Sequence, residues 1–315
     1  MAGLDCGMLR TALFTLVLFA SCSGLMTDSA PTTRPNLAIP TLGGKQLWAD
    51  RRWQEGWRIQ ENVLTGHHRL LDDNDRRRAW GNLAACLLEL EARAPKVVEN
   101  DSTLVLLIHG MGRSRAAFSK MQEALQVQGF SVASISYPST RRPVSAHAQQ
   151  LAEILQNLNG YSKVCFVTHS LGGIVVRQLL ADRGDWMQNL TVERIVMLAP
   201  PNQGSAFALK LESFAPFRWL FGDTGLSLTP DAMATMPVPE VPFLVIAGSS
   251  GKSDGYNSML EGDDDFVVRV AETHLAGETA HLVVSSLHTF LMNQDAAITA
   301  TADFLRDGTI PDHAR

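Results

Sequence analysis

Lys163-Val-Cys-Phe-Val-Thr-His-Ser-Leu-Gly-Gly-Ile-Val-Val-Arg177 changes character at its centre. The first half is a short apolar run rich in Val and Phe, which reads as a strand buried on both faces; the second half is an apolar helix opening on Leu171. Ser170 stands at the apex between them, with the small residues Thr168 and Gly172 two positions before and after, so strand and helix can approach closely across a sharp turn. A serine in that place could simply cap the helix that follows. A strained turn that lifts a hydroxyl clear of a sheet is the chemically sharper reading. Outward from this stretch, similar apolar runs recur at Leu104–Ile108, Val132–Ile135, Ile195–Leu198 and Phe243–Ile246, with helical patterns at about 114–128, 145–159 and 171–182. Strands separated by helices predict βαβ units in a doubly wound, mainly parallel sheet, an α/β fold. Functional groups of such sheets sit in the turns beyond the carboxyl ends of the strands.

Composition narrows the partners. The chain has 315 residues, 45% hydrophobic and 19% charged, so it can bury a large core and is not disordered. A net charge of −5 gives no basic field, which argues against nucleic acid as a partner. Four cysteines, with no CxxC pair, supply neither a disulfide framework nor a zinc-ligand pattern.

Three other strand exits carry chemistry. Leu104–Ile108 runs into His109-Gly110-Met111-Gly112; Ile195–Leu198 runs into Pro200-Pro201-Asn202-Gln203-Gly204-Ser205; and Glu261-Gly-Asp-Asp-Asp-Phe-Val-Val268 holds three successive acids upstream of a set of histidines. Together with the Thr168–Gly173 turn, in this order, the segments resemble the lipase-like branch of the α/β-hydrolase superfamily over about 103–306. The resemblance implies an α/β-hydrolase fold with an apolar cap or lid inserted at about 206–237. It also implies a serine carboxylic-ester hydrolase acting on an ester or lipid, with no metal or organic cofactor. Ser170 would be the nucleophile, and the amides of Met111 and Leu171 the oxyanion donors, with His109 structural. His288, after the apolar run Leu282–Val284, would be the general base; His281 stays open, His274 lies in a polar stretch and His313 near the terminus. Registering Gly262 and Val268 on the family's G-x-x-D-G-x-V pattern puts the acid at Asp265, with Phe266 where Gly is usual; Asp264, Asp263 and Asp254 remain alternatives. A calcium site at the three acids lacks EF-hand spacing and its closing Glu. Acyl transfer to an alcohol or lipid, deacylation, or lipid binding by a non-catalytic envelope protein are the competing functions on the same fold.

The N-terminal third reads differently. Residues 1–21 contain the apolar run Thr11–Ala20, too short to span a bilayer but suited to a signal peptide. Phe19-Ala-Ser-Cys22 resembles a lipoprotein signal, implying lipidation of Cys22, export to the cell envelope and membrane association, with plain secretion as the alternative. Residues 22–45 would be a Ser/Thr/Pro-rich tether. Residues 46–102 are expected to form an extension sealing one sheet edge: a hairpin turning at Thr65-Gly66, then a helix over 75–94 with Arg76-Arg77-Arg78 on its solvated face. The cap stretch carries Phe207, Leu211, Phe214, Phe217, Trp219, Leu220, Phe221 and Met233, which suits an acyl pocket, a lipid surface or simple burial. Cys165, inside an apolar strand, is expected to be an inert buried thiol.

Overall fold

Leu104–Ile108 is apolar at every position because both of its faces are covered. In the computed structural model, Leu104, Leu106 and Ile108 share one core with Ala148, Leu151 and Ile174, while Val105 and Leu107 share another with Met121, Leu125 and Phe304. Alternation along the strand thus sends successive side chains into two helical layers. The structure describes residues 45–97, 102–211 and 228–310, within the compact unit Asn36–Arg315.

The first elements are β1 (Trp48–Gln54), β2 (Trp57–Asn62), β3 (His68–Leu71), β4 (Arg77–Gly81) and α1 (Leu83–Arg93). There follow β5 (Ser102–Ile108), α2 (Ser119–Val127), β6 (Ser131–Ile135), α3 (Val144–Gln156), β7 (Tyr161–His169), α4 (Leu171–Asp182) and β8 (Thr191–Leu198). After β8 come α5 (Ala206–Leu211), α6 (Pro230–Thr235), β9 (Phe243–Ser249), α7 (Val270–Thr273), β10 (Ala280–Ser285) and α8 (Asp295–Asp307). β5 to β10 form one six-stranded sheet in the order β10-β9-β8-β7-β5-β6, parallel at every pairing. Each of the apolar runs read from Leu104 onward falls inside one of these strands.

β1 to β4 form a separate antiparallel meander with α1 against it, around a small core of Ile59, Leu70, Ala79, Cys86 and Leu90. The hairpin between β2 and β3 pairs Glu61 with His68 around the expected turn. The helix expected over 75–94 is corrected: it starts only at Leu83, capped by Asn82, whose side chain accepts from the Ala85 amide at 2.8 Å, and 77–81 is a strand. Pairing with β3 decides that stretch, burying Ala79 and turning Trp80 outward, so the helical spacing of Trp80 with Leu83 and Leu87 is coincidental. The arginines are not a helix face either. Arg78 pairs with Asp72 at 2.6 Å, and the Arg77 guanidinium lies over the Trp80 ring.

The meander meets the parallel sheet just past β6, its outer strand. Asp50 donates its amide to the Ser136 carbonyl (3.0 Å) and its carboxylate accepts the Ser136 amide (2.6 Å) and Gln60 Nε2 (2.6 Å). Arg51 and Arg52 both reach Glu153 on α3, and Arg115 pairs with Asp75. Burial holds the Asp50 carboxyl above its usual range, offset in part by Arg58. Cys86 and Cys165 are free and buried, their thiols pushed up to about 11 and about 12 by burial, as expected for inert cysteines.

Candidate active site

The turn between β7 and α4 places Ser170 at φ +53° and ψ −122°, a strained conformation costing about 1–3 kcal/mol. Its amide donates to the Leu198 carbonyl at 2.8 Å, while its side chain makes no capping bond to α4. The hydroxyl is therefore not used as a helix cap. Two glycines make room for it. A Cβ on Gly172 would collide with the Ile108 carbonyl and stand 2.9 Å from that of His109. A Cβ on Gly110 would lie 3.0 Å from Cβ of Ser170 and 2.8 Å from Nδ1 of His169.

The three successive acids go to three destinations. Asp263 holds the exit of β9, accepting from the Ser249 hydroxyl at 2.5 Å and the Ser250 amide at 2.8 Å. Asp264 organises the loop itself, accepting the amides of Tyr256, Asn257 and Phe266, the last at 2.6 Å. Asp265, fully buried, accepts the amides of Val267 (3.0 Å) and Val268 (2.8 Å) on Oδ1 and turns Oδ2 to Nδ1 of His288 at 2.7 Å. A second bond, from the His288 amide to the Asp265 carbonyl (2.8 Å), fastens the two loops together. Phe266 carries φ +86°, so it adopts the conformation for which glycine is the ordinary choice. Asp254 lies exposed on the preceding loop.

Among the described histidines, only His288 meets an acid beside Ser170. His281 is turned to the Thr273 hydroxyl (2.8 Å) and His274 to Glu278 (2.7 Å), while His313 lies outside the described residues. His109 is buried, stacked on Tyr137 at 4.2 Å, and pushed down to about 4 by burial. His169 is a neighbour of His288 that the sequence reading missed. Its Nε2 donates to the His288 carbonyl at 3.0 Å, and the two rings stand 4.6 Å apart. Burial, and then the nearby His288, hold it well below the usual histidine range, so it stays a neutral brace for the loop. The one signal in the sequence was its place next to Ser170.

Ser170 and His288 open onto one cavity of about 320 Å³, lined also by Met111, Leu171, Phe207 and Leu228. Met111 and Leu171 thus border the same space as the serine. Arg113, bonded to the Thr289 carbonyl at 3.2 Å, is the one permanently charged side chain lining it among the described residues. Phe207, Ala208 and Leu228 come from the two ends of the expected cap, and Met233 of α6 is buried. Phe214, Phe217, Trp219, Leu220 and Phe221 lie outside the described residues, as does Cys22 with the rest of 1–44. Arg177 of α4, buried among carbonyls, ties the segment after β8 to the end of α6: it donates to the carbonyls of Asn202 (3.2 Å) and Met236 (2.7 Å), and burial pulls it down to about 10. Glu272 accepts the Ala206 amide at 2.7 Å, capping α5 from another element. No helix among the described residues is long and apolar enough to cross a membrane.

Known structures of the same architecture include Bacillus licheniformis lipase BlEst2 in its mature form. It superposes with a TM-score of 0.54 at 21% identity, over 69% of this chain and 96% of that one. The metagenomic carboxyl esterase MGS0156 gives a TM-score of 0.51 at 16% identity, over 69% of this chain and 79% of that one. The parallel sheet with its flanking helices, and these neighbours, define the fold as that of the α/β-hydrolases. Over residues 74–313 the chain matches the family described as a domain of unknown function, DUF7379, and it belongs to that family. A comparison with curated proteins finds no match.

Proposed function

We propose that this protein is a serine carboxylic-ester hydrolase. One observation carries the reading: a serine held at φ +53° with its hydroxyl free of capping shares a cavity with a histidine whose Nδ1 lies 2.7 Å from a buried aspartate. In this mechanism Ser170 Oγ attacks the ester carbonyl carbon while His288 Nε2 takes the hydroxyl proton. The carbonyl oxygen, now an oxyanion, is met by the amides of Met111 and Leu171; the second gains from being at the first turn of α4. Collapse breaks the carbon–oxygen bond to the leaving alcohol, which takes the proton back from His288. Water then repeats the sequence on the acyl-enzyme and restores Ser170. Asp265 keeps Nδ1–H directed at itself and balances the imidazolium. No metal or organic cofactor is needed for any step.

The apolar cavity wall supports an acyl chain as the buried part of the substrate. The two named neighbours are a lipase and a carboxyl esterase, which supports the same substrate class for this chain. Hydrolysis of p-nitrophenyl esters of graded chain length tests the reading, with a fluorophosphonate probe identifying the nucleophile. Absence of both turnover and Ser170 labelling in the folded protein would sink it, and would favour a lipid-binding role. Lipidation at Cys22, with delivery to the envelope, remains part of the proposal. Mass spectrometry of the mature N-terminus checks it: an unmodified terminus cut elsewhere means a secreted enzyme.

A further inference from the structure

We propose that His274, Glu278 and His281 bind one divalent transition-metal ion of the zinc class. One donor atom from each side chain lies within 4.8 Å of the other two. A tetrahedral zinc with bonds of about 2.0–2.2 Å holds its ligands about 3.3–3.6 Å apart, so closing the site takes a shift of about 1 Å. His274 is exposed and stands just past the end of α7, so its side chain can turn to close the site by exchanging its bond to Glu278 for one to the ion.

The surroundings prepare the ligands. Thr273 Oγ1 gives its single proton to the Val270 carbonyl at 2.7 Å, so toward His281 Nε2, at 2.8 Å, it can only accept. The His281 proton is thereby fixed on Nε2, and Nδ1 keeps a bare lone pair. A hydrogen bond that fixes the tautomer of a ligating imidazole is how protein metal sites orient their histidines. Glu278 is held in the same way, its Oε2 accepting the Leu275 amide at 3.2 Å while Oε1 meets His274 at 2.7 Å. The His274 and His281 rings are stacked, 3.8 Å between centroids and 18° between planes, so the two imidazoles are already neighbours, and the His274 ring has to tilt out of the stack for both lone pairs to meet one ion. Two imidazoles and one carboxylate suit zinc, cobalt or nickel, and not calcium or magnesium, which take oxygen. The fourth position would be left to water.

The ion would act as a staple and not as a catalyst. His281 stands near the start of β10, four residues before Ser285, or ~13 Å of strand from the end that leads to His288. The carbonyls of Thr273 and His274 accept Asn202 Nδ2 (2.8 Å) and Gln203 Nε2 (3.4 Å). Binding would therefore lock the turn before β10 to the segment after β8, where the cap begins.

Calorimetric titration of the chelator-treated full chain with zinc chloride, and absorption spectra with cobalt chloride, test this directly. One ion per chain is expected, with tetrahedral-type cobalt bands in the visible. His274→Ala and Glu278→Gln should each weaken binding at least tenfold, with circular dichroism unchanged. No saturable zinc binding overturns the proposal, as does binding that both variants leave intact, or equal affinity for calcium. Ion binding is read independently of ester hydrolysis, so the two proposals fail separately.

Discussion

The two sheets are held by different physics. The parallel sheet is cemented by leucines, valines and isoleucines with almost no exposure, whereas the meander buries Asp50, Arg58, Gln60 and Asp72 among its strands. The first core depends on area, which many apolar residues supply. The second depends on matched partners: Asp50 on Ser136 and Gln60, Arg58 on Asp75, Arg51 on Glu61 and Glu153. All of the chemistry assigned here is suspended from the ends of the apolar sheet, so loss of activity and loss of attachment should come from separate sets of residues.

The sharpest break is at Ser170. Ser170→Ala and His288→Ala should each lower kcat by roughly 10³–10⁶-fold with the melting temperature kept, because members of such a set act as a unit. Ester turnover beside thermal unfolding checks this; a variant within tenfold of wild type would refute the assignment. Asp265→Asn should cost about 10⁴-fold by presenting an N–H to His288 Nδ1. Asp263→Asn and Asp264→Asn should reduce kcat less than tenfold and act on stability, by about 1–3 kcal/mol. If Asp264→Asn proves the most damaging to turnover, the assignment of the acid is off by one.

Acid should separate the halves next. His109 and His147, both buried beside β5 and β6, are pushed down to about 4 from 6.5 by burial. Between those values the unfolded chain binds protons that the native sheet refuses. Stability is therefore full above pH 6.5 and falls as the pH drops toward 4, by about 3 kcal/mol for each histidine. Urea titrations at pH 7.5 and 4.5 measure it; an unchanged midpoint would contradict the burial argument. At the small end, Leu106→Ala in the parallel core should cost about 2–5 kcal/mol. Arg51→Ala in the meander, which removes its partly exposed pairs with Glu61 and Glu153, should cost about 1 kcal/mol, and less still in 1 M salt. Equal losses from the two would erase the distinction between the sheets.

The same distinction explains what could be read from residues alone. Apolar runs announce strands buried on both faces, so the parallel sheet and the Ser170 turn were legible; the family resemblance pointed to Asp265 among several acids, and it is Asp265 that lies 2.7 Å from His288. Strands β1 and β4 were not legible, because Trp48-Ala-Asp-Arg-Arg and Arg77-Arg-Ala-Trp owe their extended form to neighbours, and no local period reports a neighbour. The brace by His169 was invisible for a related reason: its partner is a backbone carbonyl 119 residues away. Nor could the sequence separate the jobs of Asp263 and Asp264, since each is defined by amides and hydroxyls that the loop brings in.

That crowded loop also sets how the chain can evolve or be redesigned. Three consecutive positions each serve a different address, so spelling and length are not equivalent freedoms there. Exchanging the exposed Glu261, or replacing Phe266 at φ +86° with glycine, leaves every address served. Inserting one residue just before Asp263 hands each acid its neighbour's destination, and the β9 exit, the loop and the His288 partner fail at once. Outside its three acids the segment can change in letters more readily than in count, and insertions that an engineer wants are better placed elsewhere in the molecule.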